Sequence, residues 1–75
     1  MSIIFDTLED TAKYIVDSLD FTPETLNKAF STVFYKDKKI VFDTYSLSIH
    51  ENELDYEDRR NLFIEINNYV CYLYT

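Results

Sequence analysis

The sequence predicts a small α+β domain in the order helix, helix, β-hairpin (or three-stranded antiparallel meander), helix. Apolar residues recur every three or four positions in 5–20 and again in 54–75, as in amphipathic helices. Apolar and polar residues alternate in 45–50, as in a strand with one buried face. No linker-like stretch interrupts the 75 residues, so 1–75 is predicted to be a single domain.

The first predicted helix covers 5–20, with Asp6 as N-cap and Glu9 three residues later, as in a capping box. Its predicted apolar face consists of Phe5, Leu8, Ala12, Ile15 and Leu19. The opposite face is an acidic ridge interrupted by Lys13, and its acidic members are Asp6, Glu9, Asp10, Asp17 and Asp20. A solvated outer face would explain this ridge. However, the helix dipole disfavours Asp17 and Asp20 near the C-terminal end, which indicates a role other than stability.

A second helix is predicted to begin at Thr22, an N-cap followed by Pro23 at the first helical position. Phe21 and Leu26 are spaced as a hydrophobic staple. The end of this helix stays open, because 31–36 is β-prone and could already be a strand.

A hairpin or meander is expected across 32–50. The polar stretch 36–39 predicts a turn, and 40–42 a short buried strand. Tyr45, Leu47 and Ile49 would then share the buried face of a further strand. Because two strands alone are marginal, helices should cover one face of this sheet.

The last predicted helix lies within 54–75 and is capped by Asp55. Two ion pairs are expected in its first turns, Asp55 with Arg59 and Glu57 with Arg60. Its apolar stripe consists of Leu62, Ile66, Tyr69, Val70 and Leu73. The alternative is a hairpin that turns at Asn67-Asn68, because both flanking runs are β-prone and Asn tolerates positive φ.

The composition argues against catalysis, cofactors and metal ions. The chain has no glycine, which excludes glycine-rich phosphate loops, and with one His and one Cys it has no zinc ligand set. The acidic stretch 51–58 lacks the glycine and the spacing of an EF-hand. Cys71 is expected to be a small buried apolar residue, and His50 a surface residue. The protein is therefore predicted not to be an enzyme.

A cytoplasmic location, in the producing or infected cell, is expected. There is no long apolar run and no basic N-terminal region of a signal peptide. The single cysteine permits no internal disulfide. Abundant Ile, Asn, Lys, Tyr and Phe are typical of low-GC genomes, such as those of phages and mobile elements.

The formal net charge of −7 comes from 14 acidic and seven basic side chains, which disfavours direct binding to nucleic acid or to an anionic membrane. Carboxylates on one helix face recur about every 5–6 Å, a scale similar to that of phosphates along a nucleic-acid strand. The sequence thus predicts a non-enzymatic protein that inhibits or modulates a basic partner as a nucleic-acid mimic. A nuclease, a restriction or CRISPR effector, and a transcription factor are the partner classes considered.

Besides the acidic ridge, the predicted interface includes an acidic cluster: Glu51, Glu53, Asp55, Glu57 and Asp58. Tyr56 within it is the predicted aromatic anchor. The full set of predicted partner-binding residues is Asp6, Asp10, Asp17, Asp20, Glu51, Glu53, Asp55, Tyr56, Glu57 and Asp58. The alternative prediction is a structural or assembly protein that homodimerises through its Tyr- and Phe-rich C-terminal element.

Overall fold

The computed structural model describes residues 3–19, 30–44 and 48–74. These residues form one four-stranded sheet in the order β1-β2-β3-β4, with β1 parallel to β2 and the other neighbours antiparallel. The predicted α+β class is confirmed. In chain order the elements are β1 Ile4–Phe5, α1 Leu8–Asp17, β2 Phe30–Tyr35, β3 Lys38–Asp43, β4 Ser48–Asn52 and α2 Tyr56–Leu73.

The sequence predicted either a hairpin or a three-stranded meander, and strands β2, β3 and β4 form the meander. The β-prone stretch 31–36 is a strand for most of its length, and Phe30 pairs with Asp43 at one end while Tyr35 pairs with Lys38 at the other. The helix predicted from Thr22 and the predicted strand positions 45–47 lie outside the described residues.

The prediction that the first helix starts at residue 5 is wrong, because Ile4–Phe5 is a strand. The Phe34 N–H donates to the Ile3 carbonyl at 2.9 Å, and the Lys36 N–H donates to the Phe5 carbonyl at 2.8 Å. These bonds hold the N-terminal segment extended, so α1 can begin only after it.

The N-cap of α1 is Thr7, not the predicted Asp6. Its hydroxyl accepts a hydrogen bond from the Asp10 N–H at 3.2 Å, and its backbone is extended, as an N-cap requires. The helix ends at Asp17, so Leu19, which was predicted to belong to its apolar face, lies beyond the helix. The buried residues of α1 are Thr11, Ala12, Ile15 and Val16.

The core lies between the helices and one face of the sheet, as predicted. Phe42 and Ile40 of β3 are fully buried, and the Tyr14 ring of α1 meets the Phe42 ring edge-on at a centroid distance of 6.4 Å. The complete set of buried hydrophobic residues is Ala12, Ile15, Val16, Val33, Ile40, Phe42, Leu54, Leu62 and Ile66.

The C-terminal element α2 is a continuous helix of 18 residues, so the hairpin alternative at Asn67-Asn68 is wrong. The Asp55 carboxylate accepts from the Asp58 N–H at 2.8 Å, which confirms the predicted N-cap. Leu62 and Ile66 are buried, whereas Leu73 at the end of the predicted stripe is 44% exposed. Neither described helix has the length and apolar character needed to cross a membrane.

Candidate functional site

The acidic ridge is exposed wherever it is described. Glu9, Asp10 and Asp17 are exposed on α1, and Asp6 is exposed just before it; Asp20 lies outside the described residues. Lys13 does interrupt the ridge, since its ammonium lies 3.1 Å from Glu9 Oε1. The hydrogen bond to Glu9 raises the pKa of Lys13, so the lysine stays charged and neutralises one carboxylate of the ridge.

Asp17 has a structural contact that its position in the sequence did not predict. The Tyr69 hydroxyl of α2 donates to both of its carboxylate oxygens, at 3.0 and 3.3 Å. This hydrogen bond raises the pKa of Tyr69. The carboxylate at the unfavourable end of α1 is therefore compensated by a donor from the neighbouring helix.

The acidic cluster occupies the connection between β4 and α2, and its members differ in what they do. Glu53 extends the β3–β4 pairing, because its Oε1 accepts from the Lys39 N–H at 2.7 Å and its own N–H donates to the Lys39 carbonyl at 2.9 Å. Asp55 caps α2. Glu51 and Glu57 are exposed and Asp58 is half-buried. Among the described residues, the carboxylates of Glu51, Glu57 and Asp58 form no hydrogen bond or ion pair, and of these three Glu51 and Glu57 are the exposed ones.

Tyr56, the predicted anchor, is 71% exposed at the start of α2. The Arg59 guanidinium carbon lies 5.9 Å from the centre of its ring. The ion pairs predicted for Asp55 with Arg59 and for Glu57 with Arg60 do not form between these described residues. The Asp55 carboxylate instead caps α2, and the Arg59 guanidinium lies against the Tyr56 ring. Tyr56 therefore presents an open ring with a cation beside it.

The structure keeps Asp17 apart from the acidic cluster. Asp17 meets α2 at Tyr69, and Tyr69 follows Asp58 by about three turns, or roughly 16 Å along the helix axis. The C-terminal end of the ridge and the cluster are therefore separate negative regions. A partner would have to span most of the length of α2 to contact both.

A cleft of about 300 Å³ lies between α1 and α2, and the prediction from sequence missed it. Tyr69 and Tyr72 form an aromatic wall, with ring centroids 6.2 Å apart and planes inclined by 14°. Lys13 Nζ lies 6.0 Å from the centre of the Tyr69 ring. The lining residues are Glu9, Lys13, Glu65, Asn68, Tyr69 and Tyr72. The sequence signal for the α2 side is the spacing of 65, 68, 69 and 72, which places these residues on one flank of a helix.

Cys71 is exposed, so the expectation that it is buried is wrong. It lies on α2 outside the buried stripe, because the helix turns that side of the apolar run towards solvent. His50 is exposed as expected, and its ring lies 4.8 Å from that of Phe30. Within 3–19, 30–44 and 48–74, no group of three or more His, Cys, Asp or Glu side chains is arranged to hold a metal ion.

Helix α2 also exposes an apolar surface that is distinct from the cleft. Phe63 and Ile64 are each 42% exposed in its middle. Tyr56, Phe63 and Tyr74 are exposed along one side of the helix, at spacings of seven and eleven residues, whereas Val70 between Phe63 and Tyr74 is half-buried and packs against the core. This side flanks the buried stripe of Leu62 and Ile66.

Comparisons with known proteins complete the description of the site. No protein-family model, no curated protein and no solved structure matches this chain.

Proposed function

We propose that this protein is a non-enzymatic acidic binding protein that inhibits or modulates a basic, nucleic-acid-binding partner, with its carboxylates taking the place of nucleic-acid phosphates. One observation carries the proposal. Among the described residues, none of the predicted partner-binding carboxylates forms a salt bridge, and most are exposed. The negative charge of these side chains is therefore available to a positively charged surface.

The carboxylates without structural roles show where contact is expected. Asp6 and Asp10 lie on the ridge, and Glu51 and Glu57 lie in the acidic cluster. Glu53, Asp55 and Asp17 already accept hydrogen bonds within the protein. Because those three also stabilise the fold, the four free carboxylates are the ones to alter in a test of binding.

The partner is sought by pull-down from a host lysate at low salt, and its affinity is then measured over a series of salt concentrations. We expect the affinity to fall steeply as salt rises, because contacts between exposed charges are screened. A short DNA or RNA duplex should compete with the protein for the same partner. An affinity that stays constant from low to high salt, or a partner that binds the duplex and the protein simultaneously, would contradict the proposal.

Two charge-neutralised variants localise the contact. One carries Asp6→Asn and Asp10→Asn, and the other carries Glu51→Gln and Glu57→Gln. Each substitution at a contact should weaken binding up to about fivefold, the range of an exposed ion pair. The matched control is Asp37→Asn, which removes an exposed carboxylate from the β2–β3 loop, outside both acidic regions.

A second candidate function is supported by the exposed apolar side of α2. Phe63 in the middle of that side is 42% exposed, and Tyr56 and Tyr74 on the same side are 71% and 78% exposed. Exposed apolar surface of this kind is typical of interaction sites. The corresponding proposal is a structural or assembly protein that homodimerises through α2.

Analytical ultracentrifugation separates the two candidates. A dimer that persists on dilution and dissociates in the Phe63→Glu variant would favour assembly through α2. The control is Asn68→Glu, which places the same charge on the cleft-lining flank of the same helix, five residues and about 140° around the helix axis from Phe63. A monomer at all concentrations would remove this candidate.

A further inference from the structure

We infer that the cleft between α1 and α2 is the docking site for an arginine side chain of the basic partner. This inference rests on the proposed function and gives it a specific contact. The observations behind it are an aromatic wall, a carboxylate beside that wall and a surplus of negative charge, all within one cleft of about 300 Å³.

The α2 side of the cleft is built as a cation site. Glu65, Tyr69 and Tyr72 are spaced four and seven residues apart, so the carboxylate and both rings face the same way. Glu65 is half-buried, and its carboxylate has no hydrogen bond or ion pair within the described part of the chain. The Tyr72 ring is 76% exposed and lies close to parallel with that of Tyr69. A planar cation can therefore rest against Tyr72 with its charged end towards Glu65.

The charges around the cleft favour a cation over an anion. Lys13 is already paired with Glu9 at 3.1 Å, so these two charges offset one another. Glu65 adds an unpaired negative charge, and Asp17 adds another directly behind the Tyr69 hydroxyl. An incoming cation meets this surplus and the negative faces of the aromatic rings.

Arginine fits this arrangement better than lysine. Its guanidinium is planar and weakly hydrated, stacks on aromatic rings and donates two parallel hydrogen bonds to a carboxylate. The ammonium of lysine is a compact, strongly hydrated charge that makes neither contact as well. The cleft is also at the small end of the range for ligand pockets, about 300–1,000 Å³, and so suits one side chain rather than a large ligand.

The test uses isotope-labelled full-length protein and two blocked peptides that differ only in carrying three arginines or three lysines. Both peptides are titrated at low salt while backbone amide shifts are followed by NMR. We expect the largest shifts at Glu65, Asn68, Tyr69 and Tyr72. The arginine peptide should bind about fivefold more tightly than the lysine peptide, because only guanidinium both stacks and forms the paired hydrogen bonds.

Substitutions then assign the contact. Glu65→Gln and Tyr72→Ala should each weaken binding of the arginine peptide by about three- to tenfold, and Tyr72→Phe, which keeps the ring, should bind more tightly than Tyr72→Ala. Neither side chain is buried, so the amide spectrum should show an intact fold. The control Asp37→Asn removes a carboxylate far from the cleft residues in sequence and should bind as the unaltered protein does.

The outcomes separate this inference from the proposed function. Equal affinity for the two peptides, or shifts centred on the acidic cluster instead of the cleft, would overturn the arginine site while leaving the electrostatic function in place. No binding of either peptide at low salt would overturn both.

Discussion

The Tyr69 hydroxyl donates to both carboxylate oxygens of Asp17, at 3.0 and 3.3 Å, and joins the end of α1 to α2 across 52 positions in the sequence. An aspartate at a helix C-terminus opposes the helix dipole. Here a donor from the neighbouring helix compensates it. The same contact orients the Tyr69 ring, which forms one wall of the α1–α2 cleft.

Tyr69→Phe should lower the stability of the protein in a pH-dependent way. The hydrogen bond to Asp17 raises the pKa of Tyr69 in the folded state, so the phenol is protonated more readily there than in the unfolded chain. Its contribution is therefore complete below the unfolded-state pKa of about 10, and is lost as pH rises through the folded-state value. Urea unfolding should show a difference in the free energy of unfolding between the variant and the unaltered protein that is constant from neutral to mildly alkaline pH. This difference should shrink at higher pH. A difference that grows with alkalinity would contradict this origin.

Ile66→Ala should be strongly destabilising, and Ile64→Ala should not. The two residues are of the same type on the same helix, but Ile66 is 1% exposed and Ile64 is 42% exposed. Removing the buried side chain leaves a cavity and costs about 2–5 kcal/mol, whereas the exposed substitution should change the free energy of unfolding by about 0.5 kcal/mol or less. Chemical denaturation of both variants measures the contrast. Similar losses in the two variants would show that Ile64 is covered by something else, such as a second copy.

Thr7→Ala should destabilise the protein, whereas Asp6→Ala should have little effect. The Thr7 hydroxyl accepts from the Asp10 N–H and satisfies a donor at the start of α1. Losing an N-cap side chain costs about 1 kcal/mol. Thermal unfolding of the two variants measures which substitution lowers the melting temperature more. A larger decrease for Asp6→Ala would indicate that Asp6, the residue predicted from the sequence, is the N-cap.

Lys36→Gly should be more stable than Lys36→Ala. Lys36 is the first residue of the two-residue loop between β2 and β3, and its φ is 56°. A side chain in the left-handed region costs roughly 1–2 kcal/mol relative to glycine. Both substitutions remove the ammonium that lies 5.3 Å from the centre of the Tyr35 ring, so their difference isolates the backbone. Lys38 is in strand β3, so there the Ala variant should be more stable than the Gly variant.

The sequence predicted elements whose signals are local. Helix α2 was recognisable from Asp55 and the stripe through Leu62 and Ile66, because a cap and a period of 3.6 are written in neighbouring residues. The strand pair β2–β3 was recognisable from its β-prone residues and the polar loop between them.

Features that depend on distant residues were missed or misplaced. Strand β1 has only two residues, and its hydrogen bonds come from residues 34 and 36, so no local pattern marks it. The shift of the N-cap from Asp6 to Thr7 follows from that strand. The cleft was missed because it exists only once Glu65 and Tyr72 of α2 are placed beside Lys13 of α1, and a sequence does not state how two helices are juxtaposed.

The candidate site was predictable in part. The exposure of Glu51, Glu57 and Asp10 follows from their charge. The structural roles of Glu53 and Asp17 could not be predicted from the sequence, because their partners, Lys39 and Tyr69, are far away in the chain. Composition therefore identified which residues are acidic and accessible, while geometry separated those that hold the fold from those that are free.

The position of Leu62 and Ile66 has a consequence for how the protein is made. These residues close the core that Ala12 and Ile15 begin, yet a ribosome releases the N-terminal residues first. The apolar face of α1 therefore stays uncovered until residues 62–66, more than 40 positions later in the chain, have been synthesised. A chain truncated before residue 62 would still carry every acidic side chain of this sequence except that of Glu65, but it would lack the side chains that cover α1.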